Sequence, residues 1–86
     1  MLSAIKRDCL DLKALGRRLR ELRGFDLTQE EFAKELGVSQ SQLSKYERGV
    51  AAPTADILFF VKKRFGVSVD WLLTGDGRRK KMLLGA

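Results

Sequence analysis

The chain has 86 residues, of which 44% are hydrophobic and 33% charged, and its net charge is +6. This length allows one small domain, and the composition indicates a folded chain rather than a disordered one. Because histidine is absent and Cys9 is the only cysteine, the sequence excludes an internal disulfide and a Cys/His zinc site.

Residues 1–11 precede the first clear helical pattern, and we interpret them as an N-terminal extension. The extension either frays or continues helix 1, in which case Cys9 is a half-buried helix residue. Charged residues interrupt this segment too early for the apolar core of a signal peptide. No run approaches the ~18 apolar residues of a membrane span. We therefore expect a cytoplasmic protein.

The first predicted helix carries one apolar stripe and ends at Gly24. Its apolar residues recur at three- and four-residue steps and are Leu12, Leu15, Leu19 and Leu22. Gly16 lies inside this pattern, where glycine is unfavourable by about 1 kcal/mol relative to alanine. Gly16 therefore indicates either a bend or a close packing contact.

Each of the next four predicted helices begins at serine or threonine and is followed by glycine. The predicted starts are Thr28, Ser39, Thr54 and Ser68, and the glycines are Gly37, Gly49, Gly66 and Gly75. Glu31 and Gln42 stand three residues after the first two starts, which predicts two capping boxes. Because all these signals agree, we predict an all-α domain over residues 12–75 and a basic, mobile tail at residues 76–86.

Residues 28–49, TQEEFAKELGVSQSQLSKYERG, contain two of these helices separated by only three residues. Gly37 can adopt the positive φ that lets the chain leave helix 2 sharply. Ala33 is small where helix 3 must pass close by. The segment therefore predicts a helix-turn-helix, a motif whose second helix enters the DNA major groove.

Helix 3 divides into an inward and an outward side. The inward side is predicted to carry Leu43, Tyr46, Glu47 and, after the helix, Val50. The outward side carries Gln40, Ser41, Ser44, Lys45 and Arg48. Glutamine can bond adenine N6 and N7 together, so we predict base contacts from the first four and a phosphate contact from Arg48. An ordinary polar face is the alternative interpretation.

The start of helix 2 is a second predicted contact point with DNA. Thr28 and Gln29 lie where free backbone N–H groups and the positive end of the helix dipole favour a phosphate. For Gln29, the alternative is an ordinary exposed side chain.

Four motifs together resemble the Cro/C1-type, or XRE, helix-turn-helix family over residues 15–77. They are LGRRLRELRG, LTQEEFAKELGVSQSQLSKYERG, PT at 53–54 and FGVSVDWLLTGDG. The resemblance implies a compact, five-helix, lambda-repressor-like DNA-binding domain. It places Gln40, Ser41, Ser44 and Lys45 opposite bases. It places Thr28, Gln29, Arg48 and Thr54 near phosphates.

The same resemblance implies an ion pair between Arg20 and Glu47, and two-fold dimers on half-sites about 34 Å apart. Such dimers often form through the helix 4–5 region. The candidates for the dimer or partner surface are helix 5 with Val69, Trp71 and Leu72, Phe60 on helix 4, and the N-terminal extension. Phe60 stands where the family usually has a polar residue. Its presence indicates either an outward partner surface or a local repacking over helix 5.

We therefore expect a sequence-specific transcriptional regulator, a repressor that binds double-stranded operator DNA as a homodimer. The alternative is an antitoxin-type module that binds a toxin and its own promoter, suggested by Phe59, Phe60 and the basic tail. The sequence contains no nucleophile–base pair, metal cluster or phosphate-cradling loop, so we expect no enzyme, metal or cofactor.

Overall fold

A computed structural model describes residues 9–76, and these residues form five α-helices. The helices are α1 (Leu12–Arg23), α2 (Gln29–Leu36), α3 (Gln40–Arg48), α4 (Ala55–Phe65) and α5 (Val69–Thr74). The predicted all-α fold is confirmed. Within residues 9–76, no helix combines the length and apolar character needed to cross a membrane. The first eight residues of the predicted extension and residues 77–86 of the predicted tail lie outside the described residues.

The predicted serine and threonine starts are confirmed as N-caps. In α2 to α5, the capping hydroxyl accepts a hydrogen bond from the backbone N–H three residues later. Thr28 and Glu31 form a complete capping box: Glu31 N donates to Thr28 Oγ1 and Thr28 N donates to Glu31 Oε1, each at 3.0 Å. The second predicted box is wrong, because Ser39 Oγ accepts from Gln42 N at 3.0 Å but the Gln42 side chain makes no return bond.

Helix α1 begins at an aspartate cap that the sequence patterns did not reveal. Asp11 Oδ1 accepts a hydrogen bond of 3.1 Å from the backbone N–H of Ala14. The expectation that Cys9 is a half-buried helix residue is therefore wrong, since Cys9 precedes the cap and is exposed. The cap replaces a longer helix because its carboxylate satisfies an N–H group that the first turn leaves free.

The core is built from one side of every helix. Helix α3 packs against α1 and α2, α5 packs against α1 and α4, and α4 also packs against α2. The most deeply buried side chains are Leu15, Leu19, Phe32, Leu43, Val61, Val67 and Leu72. Phe32 also meets Phe65 edge-to-face, with 5.7 Å between ring centroids. Burial of this kind contributes about 1.5–3 kcal/mol for each large side chain, which holds the short helices in place.

Helices α1 and α3 approach each other at Gly16. A Cβ atom at Gly16 would overlap the Glu47 carbonyl oxygen and lie 2.5 Å from that of Tyr46. These backbone atoms cannot rotate away as a side chain would. Of the two explanations for Gly16, the close packing contact is therefore confirmed. This contact sets the depth at which α3 sits on α1.

Candidate nucleic-acid interface

The turn between α2 and α3 is closed by two backbone hydrogen bonds. Gly37 is left-handed at φ 75°, ψ 27°, and its N–H lies 3.2 Å from the Lys34 carbonyl oxygen. Val38 N donates to the Ala33 carbonyl oxygen at 3.0 Å. Phe32 on one side of the turn and Leu43 on the other are fully buried. The turn therefore ends α2 sharply, as predicted, and holds α3 in one position.

Helix α3 presents a polar side to solvent. Leu43, Tyr46 and Glu47 are buried, which confirms their inward prediction. Four of the predicted contact residues are exposed and one, Ser44, is half-buried; the exposed ones are Gln40, Ser41, Lys45 and Arg48. Val50 was predicted inward and is 61% exposed, so that prediction is wrong. Gly49 ends the helix in a left-handed conformation, so helical spacing no longer applies to Val50.

A chain of hydrogen bonds connects the exposed side of α3 to the interior. Gln40 Nε2 donates to Gln29 Oε1 at 3.3 Å, and Gln29 Nε2 donates to Glu47 Oε1 at 3.1 Å. Glu47 is buried, with only 4% of its side chain exposed. The first residue of α3 is therefore oriented by a carboxylate fixed inside the domain.

This chain also determines how each amide is oriented. A carboxylate only accepts hydrogen bonds, so the Gln29 amide must turn its nitrogen toward Glu47 and its oxygen toward Gln40. Gln40 then uses one N–H on Gln29 and keeps its second N–H and its Oε1. One donor beside one acceptor is the pattern that complements adenine in the major groove.

Glu47 pairs with Arg23, and the predicted pair between Arg20 and Glu47 is wrong. Arg23 Nε lies 2.8 Å from Glu47 Oε2, and Arg23 Nη2 lies 2.9 Å from Glu47 Oε1. Arg23 is the last residue of α1 and lies about one turn further along the helix than Arg20, which is exposed. Arg23 Nη1 also donates to the Leu27 carbonyl oxygen at 3.3 Å, so the pair fixes the loop before α2 as well.

The electrostatics of this pair favour the charged guanidinium. The side-chain hydrogen bonds to Glu47 raise the pKa of Arg23 above its ordinary value, while partial burial opposes the rise. While Glu47 is ionised, the guanidinium therefore stabilises the fold at pH values below the ordinary arginine pKa. This contribution of Arg23 is lost as the pH rises through the raised value.

The predicted phosphate contacts occupy three places. Thr28 is exposed, its N–H is used by Glu31, and the next two N–H groups of α2 have no intrahelical acceptor. Gln29 is half-buried and its side chain serves Glu47 and Gln40. Arg48 Nε donates to Ser44 Oγ at 3.2 Å, so these two predicted contact residues are held together. Thr54 is exposed and caps α4.

The predicted partner surface needs two corrections. Phe60 packs against the core cluster and is only partly exposed, whereas Phe59 is 63% exposed. The predicted outward Phe60 is therefore wrong, because the inward stripe of α4 runs through Ile57 and Val61. Leu72 is completely buried and cannot lie on a surface. Val69 and Trp71 are half-buried on α5, and Trp71, like Phe60, packs against the core cluster.

The groups on the exposed side of α3 are suited to hydrogen bonding and to anions. Among residues 9–76, no group of three or more histidine, cysteine or acidic residues could hold a metal ion. The groups that the interface presents are amides, hydroxyls and cations, and these are the groups that proteins direct at base edges and phosphates.

Residues 17–72 match the family model described as helix-turn-helix. The chain belongs to the Cro/C1-type helix-turn-helix family. This membership confirms the resemblance, whose five-helix fold agrees with the helices predicted from the caps and glycines. The match covers all five helices except the first five residues of α1 and the last two of α5.

Three curated relatives are similar to this family member. The transcriptional activator BcrR of Enterococcus faecalis is 42% identical over 69% of the chain, which covers 29% of BcrR. The transcriptional regulator ImmR of Bacillus subtilis is 39% identical over 79% of the chain and 54% of ImmR. The antitoxin PezA of Streptococcus pneumoniae is 36% identical over 63% of the chain and 35% of PezA. The chain thus spans about half or less of these relatives.

Two solved family structures share the fold over most of their own length. The P22 c2 repressor, in a crystal structure with synthetic operator, superposes with a TM-score of 0.65 at 33% identity. That alignment covers 72% of this chain and 96% of the repressor. The restriction-modification controller protein C.AhdI of Aeromonas hydrophila gives a TM-score of 0.63 at 30% identity, covering 73% and 97%. The fold is therefore that of lambda-repressor-like domains.

Proposed function

We propose that this protein is a sequence-specific DNA-binding transcriptional regulator that represses by occupying operator DNA as a homodimer. The observation that carries the proposal is the exposed Gln40 amide, oriented from inside the domain through Gln29 and Glu47. Family membership supports it, as does the similarity to a repressor that was crystallised with its operator. Repression of this kind requires no chemical reaction.

In this proposal α3 enters the major groove and reads bases. Gln40, Ser41 and Lys45 are exposed, and Ser44 lies beside them. Gln40 pairs with adenine through its free N–H and Oε1, and each such pair discriminates against other bases by about 1–3 kcal/mol. The serine hydroxyls and the Lys45 ammonium group serve as donors to base acceptors or to a neighbouring phosphate.

Phosphate contacts set the position of α3 in the groove. The free N–H groups at the start of α2, next to Thr28 and Gln29, bind one phosphate at the positive end of the helix dipole. Arg48 and Thr54 contact the backbone on the other side of α3. These contacts are sequence-independent, so they supply affinity and register while α3 supplies specificity.

Two-fold symmetry places two copies of α3 on half-sites about 34 Å apart. We propose that the dimer contact lies in the α4–α5 region. Val69 and Trp71 remain candidates there, and the exposed Phe59 replaces Phe60.

Selection of bound duplexes from a random pool tests the proposed function. The wild-type protein is expected to enrich a palindromic site with half-sites one helical turn apart. A matched selection with Gln40→Ala, Lys45→Ala should lose the enriched bases while the protein stays folded. Failure of the wild-type protein to enrich any sequence would contradict the proposal.

The similarity to PezA, together with the exposed Phe59, supports a second candidate, an antitoxin that binds a protein toxin. Co-expression with the adjacent gene tests it. A toxic neighbour that this protein neutralises, and that Phe59→Ala fails to neutralise, would support the antitoxin.

The control for this experiment is Val50→Ala, which removes another exposed apolar side chain without touching α4. Phe60→Ala is not a suitable control because Phe60 packs against the core. A neighbour that is not toxic would contradict the antitoxin candidate.

A further inference from the structure

Three arginines recur at every third residue along the second half of α1. Together with the following loop they line one shallow surface, which we name the arginine patch: Arg17, Arg20, Glu21, Arg23, Gly24 and Phe25. Arg23 is committed to Glu47. Arg17 and Arg20 are exposed, and neither has an ion-pair partner within residues 9–76. Among the described residues, the patch therefore presents two guanidinium groups outside any ion pair, together with one acid, Glu21.

The arginine patch is continuous with the candidate interface. Arg23 lines the patch and also contacts Glu47, which holds Gln29 at the start of α2. Arg20 and Arg17 lie about 4.5 and 9 Å from Arg23 along the helix axis. A ligand that covers the start of α2 therefore meets Arg20 next and Arg17 after it.

The distribution of charge indicates that this ligand is a polyanion. Residues 25–49, which contain α2 and α3, carry five acidic against three basic residues. Residues 12–24 carry five basic against one acidic residue. A duplex bound by α3 therefore gains no net attraction from the helix-turn-helix itself. Within residues 9–76, the largest surplus of positive charge lies on α1.

Phe25 adds an apolar element to the patch. Its side chain is fully exposed, at 107% of the reference value, beside the arginines. Among the described residues it is the most exposed of the large hydrophobic side chains, and burying it on a ligand is favourable. An apolar group flanked by cations fits a sugar–phosphate backbone, which alternates apolar sugar faces with charges.

We infer that Arg17 and Arg20 bind phosphates of the duplex outside the base pairs read by α3, and that Phe25 packs on the adjoining sugars. The inference rests on the proposed function and extends its footprint. It assigns to α1 a sequence-independent share of the affinity, whereas α3 supplies the specificity.

The test compares salt dependence in two charge-matched variants. Arg17→Ala, Arg20→Ala removes the patch charges, and Lys62→Ala, Lys63→Ala removes two charges from the last turn of α4. The dissociation constant is measured from 50 to 200 mM salt on a selected duplex and on a scrambled one. Each lost phosphate contact lowers the log–log slope by about 0.9. Wild type should thus lose roughly twelvefold more affinity over this range than the patch variant, on both duplexes.

Two further variants separate the contribution of the arginine charges from that of the apolar contact made by Phe25. Arg17→Lys, Arg20→Lys keeps the charges and should keep the slope. Phe25→Ala should weaken binding to both duplexes without changing the slope, because an apolar contact releases no counterions. Leu10→Ala is its control, because Leu10 is an exposed apolar side chain outside both the patch and the proposed dimer contact. Circular dichroism checks that every variant is folded.

An unchanged slope in the Arg17, Arg20 variant would overturn the inference, and so would an equal fall in the Lys62, Lys63 variant. If the patch binds an acidic protein instead of DNA, the slope of the Arg17, Arg20 variant should be unchanged. In either case wild type still prefers its selected duplex, so the proposed function survives. If wild type prefers no duplex, the proposed function fails and the inference fails with it.

Discussion

The Arg23 guanidinium donates two hydrogen bonds, of 2.8 and 2.9 Å, to the Glu47 carboxylate across the junction of α1 and α3. The same carboxylate accepts from Gln29, whose oxygen accepts from Gln40. One buried acid therefore joins the packing of two helices to the orientation of the residue proposed to read a base.

Replacing Arg23 by alanine should destabilise the domain strongly. The change leaves the Glu47 carboxylate buried with Gln29 as its remaining side-chain partner. Loss of one member of a buried pair costs about 3–5 kcal/mol, and the partial exposure of Arg23 favours the lower end. Urea unfolding monitored by circular dichroism measures the change.

Arg20→Ala is the matched control for this prediction. Arg20 lies one turn earlier on α1 and is exposed, so its removal should change the stability by no more than about 0.5 kcal/mol. Equal losses of stability from the two substitutions would contradict the assignment of the ion pair with Glu47 to Arg23.

Gly16→Ala should destabilise the domain although alanine is the better helix former. The added Cβ atom meets backbone carbonyls of Tyr46 and Glu47, which cannot move without shifting α3. Overpacking costs typically 1–3 kcal/mol, which outweighs the gain in helix propensity of about 1 kcal/mol in most cases. Thermal unfolding should show a lower midpoint, and a higher midpoint would mean that α1 and α3 are less closely packed than described.

Phe59 and Phe60 are adjacent but should respond differently to alanine. Phe60 packs against the core, so Phe60→Ala should lower stability, by less than the ~3–5 kcal/mol of a fully buried phenylalanine. Phe59 is largely exposed and interacts with the Lys63 ammonium group, 5.9 Å from the ring centroid, so its loss should have little effect. Chemical unfolding of the two variants provides the comparison. A larger loss for Phe59→Ala would reverse the assignment of the two faces of α4.

The helix order and most helix ends could be predicted from the sequence because each depends on a local signal. Thr28 with Glu31 forms a cap through contacts three residues apart, and Gly37 ends α2 through its own backbone conformation. The outward residues of α3 follow from helical spacing once Ser39 and Gly49 define its ends. These interactions join residues within about one helical turn, so they form in the same way whatever the tertiary packing around them.

The errors concern contacts made across the domain. Arg20 and Arg23 line the same surface of α1, and which of them reaches Glu47 depends on how α1 and α3 pack together. Phe59 and Phe60 both lie in an apolar run, and the choice between them depends on how α4 packs over α2 and α5. Val50 follows a glycine cap, beyond which helical spacing carries no information.

Gln29 should act on DNA recognition through Gln40. Gln29→Ala removes the acceptor that orients the Gln40 amide, so it should relax specificity at the base pair that Gln40 contacts. A double-mutant cycle of Gln29→Ala and Gln40→Ala should show a coupling of about 0.5–3 kcal/mol on the selected duplex. Strictly additive losses would mean that the two amides act independently.

The most direct measurement uses wild type and Gln40→Ala with a set of duplexes that differ only at the base pair assigned to Gln40. Wild type should favour one base pair by about 1–3 kcal/mol, and the variant should bind all four alternatives equally while retaining its preferences elsewhere in the site. Losses of equal size on every duplex, including scrambled DNA, would contradict the assignment of base reading to the exposed side of α3.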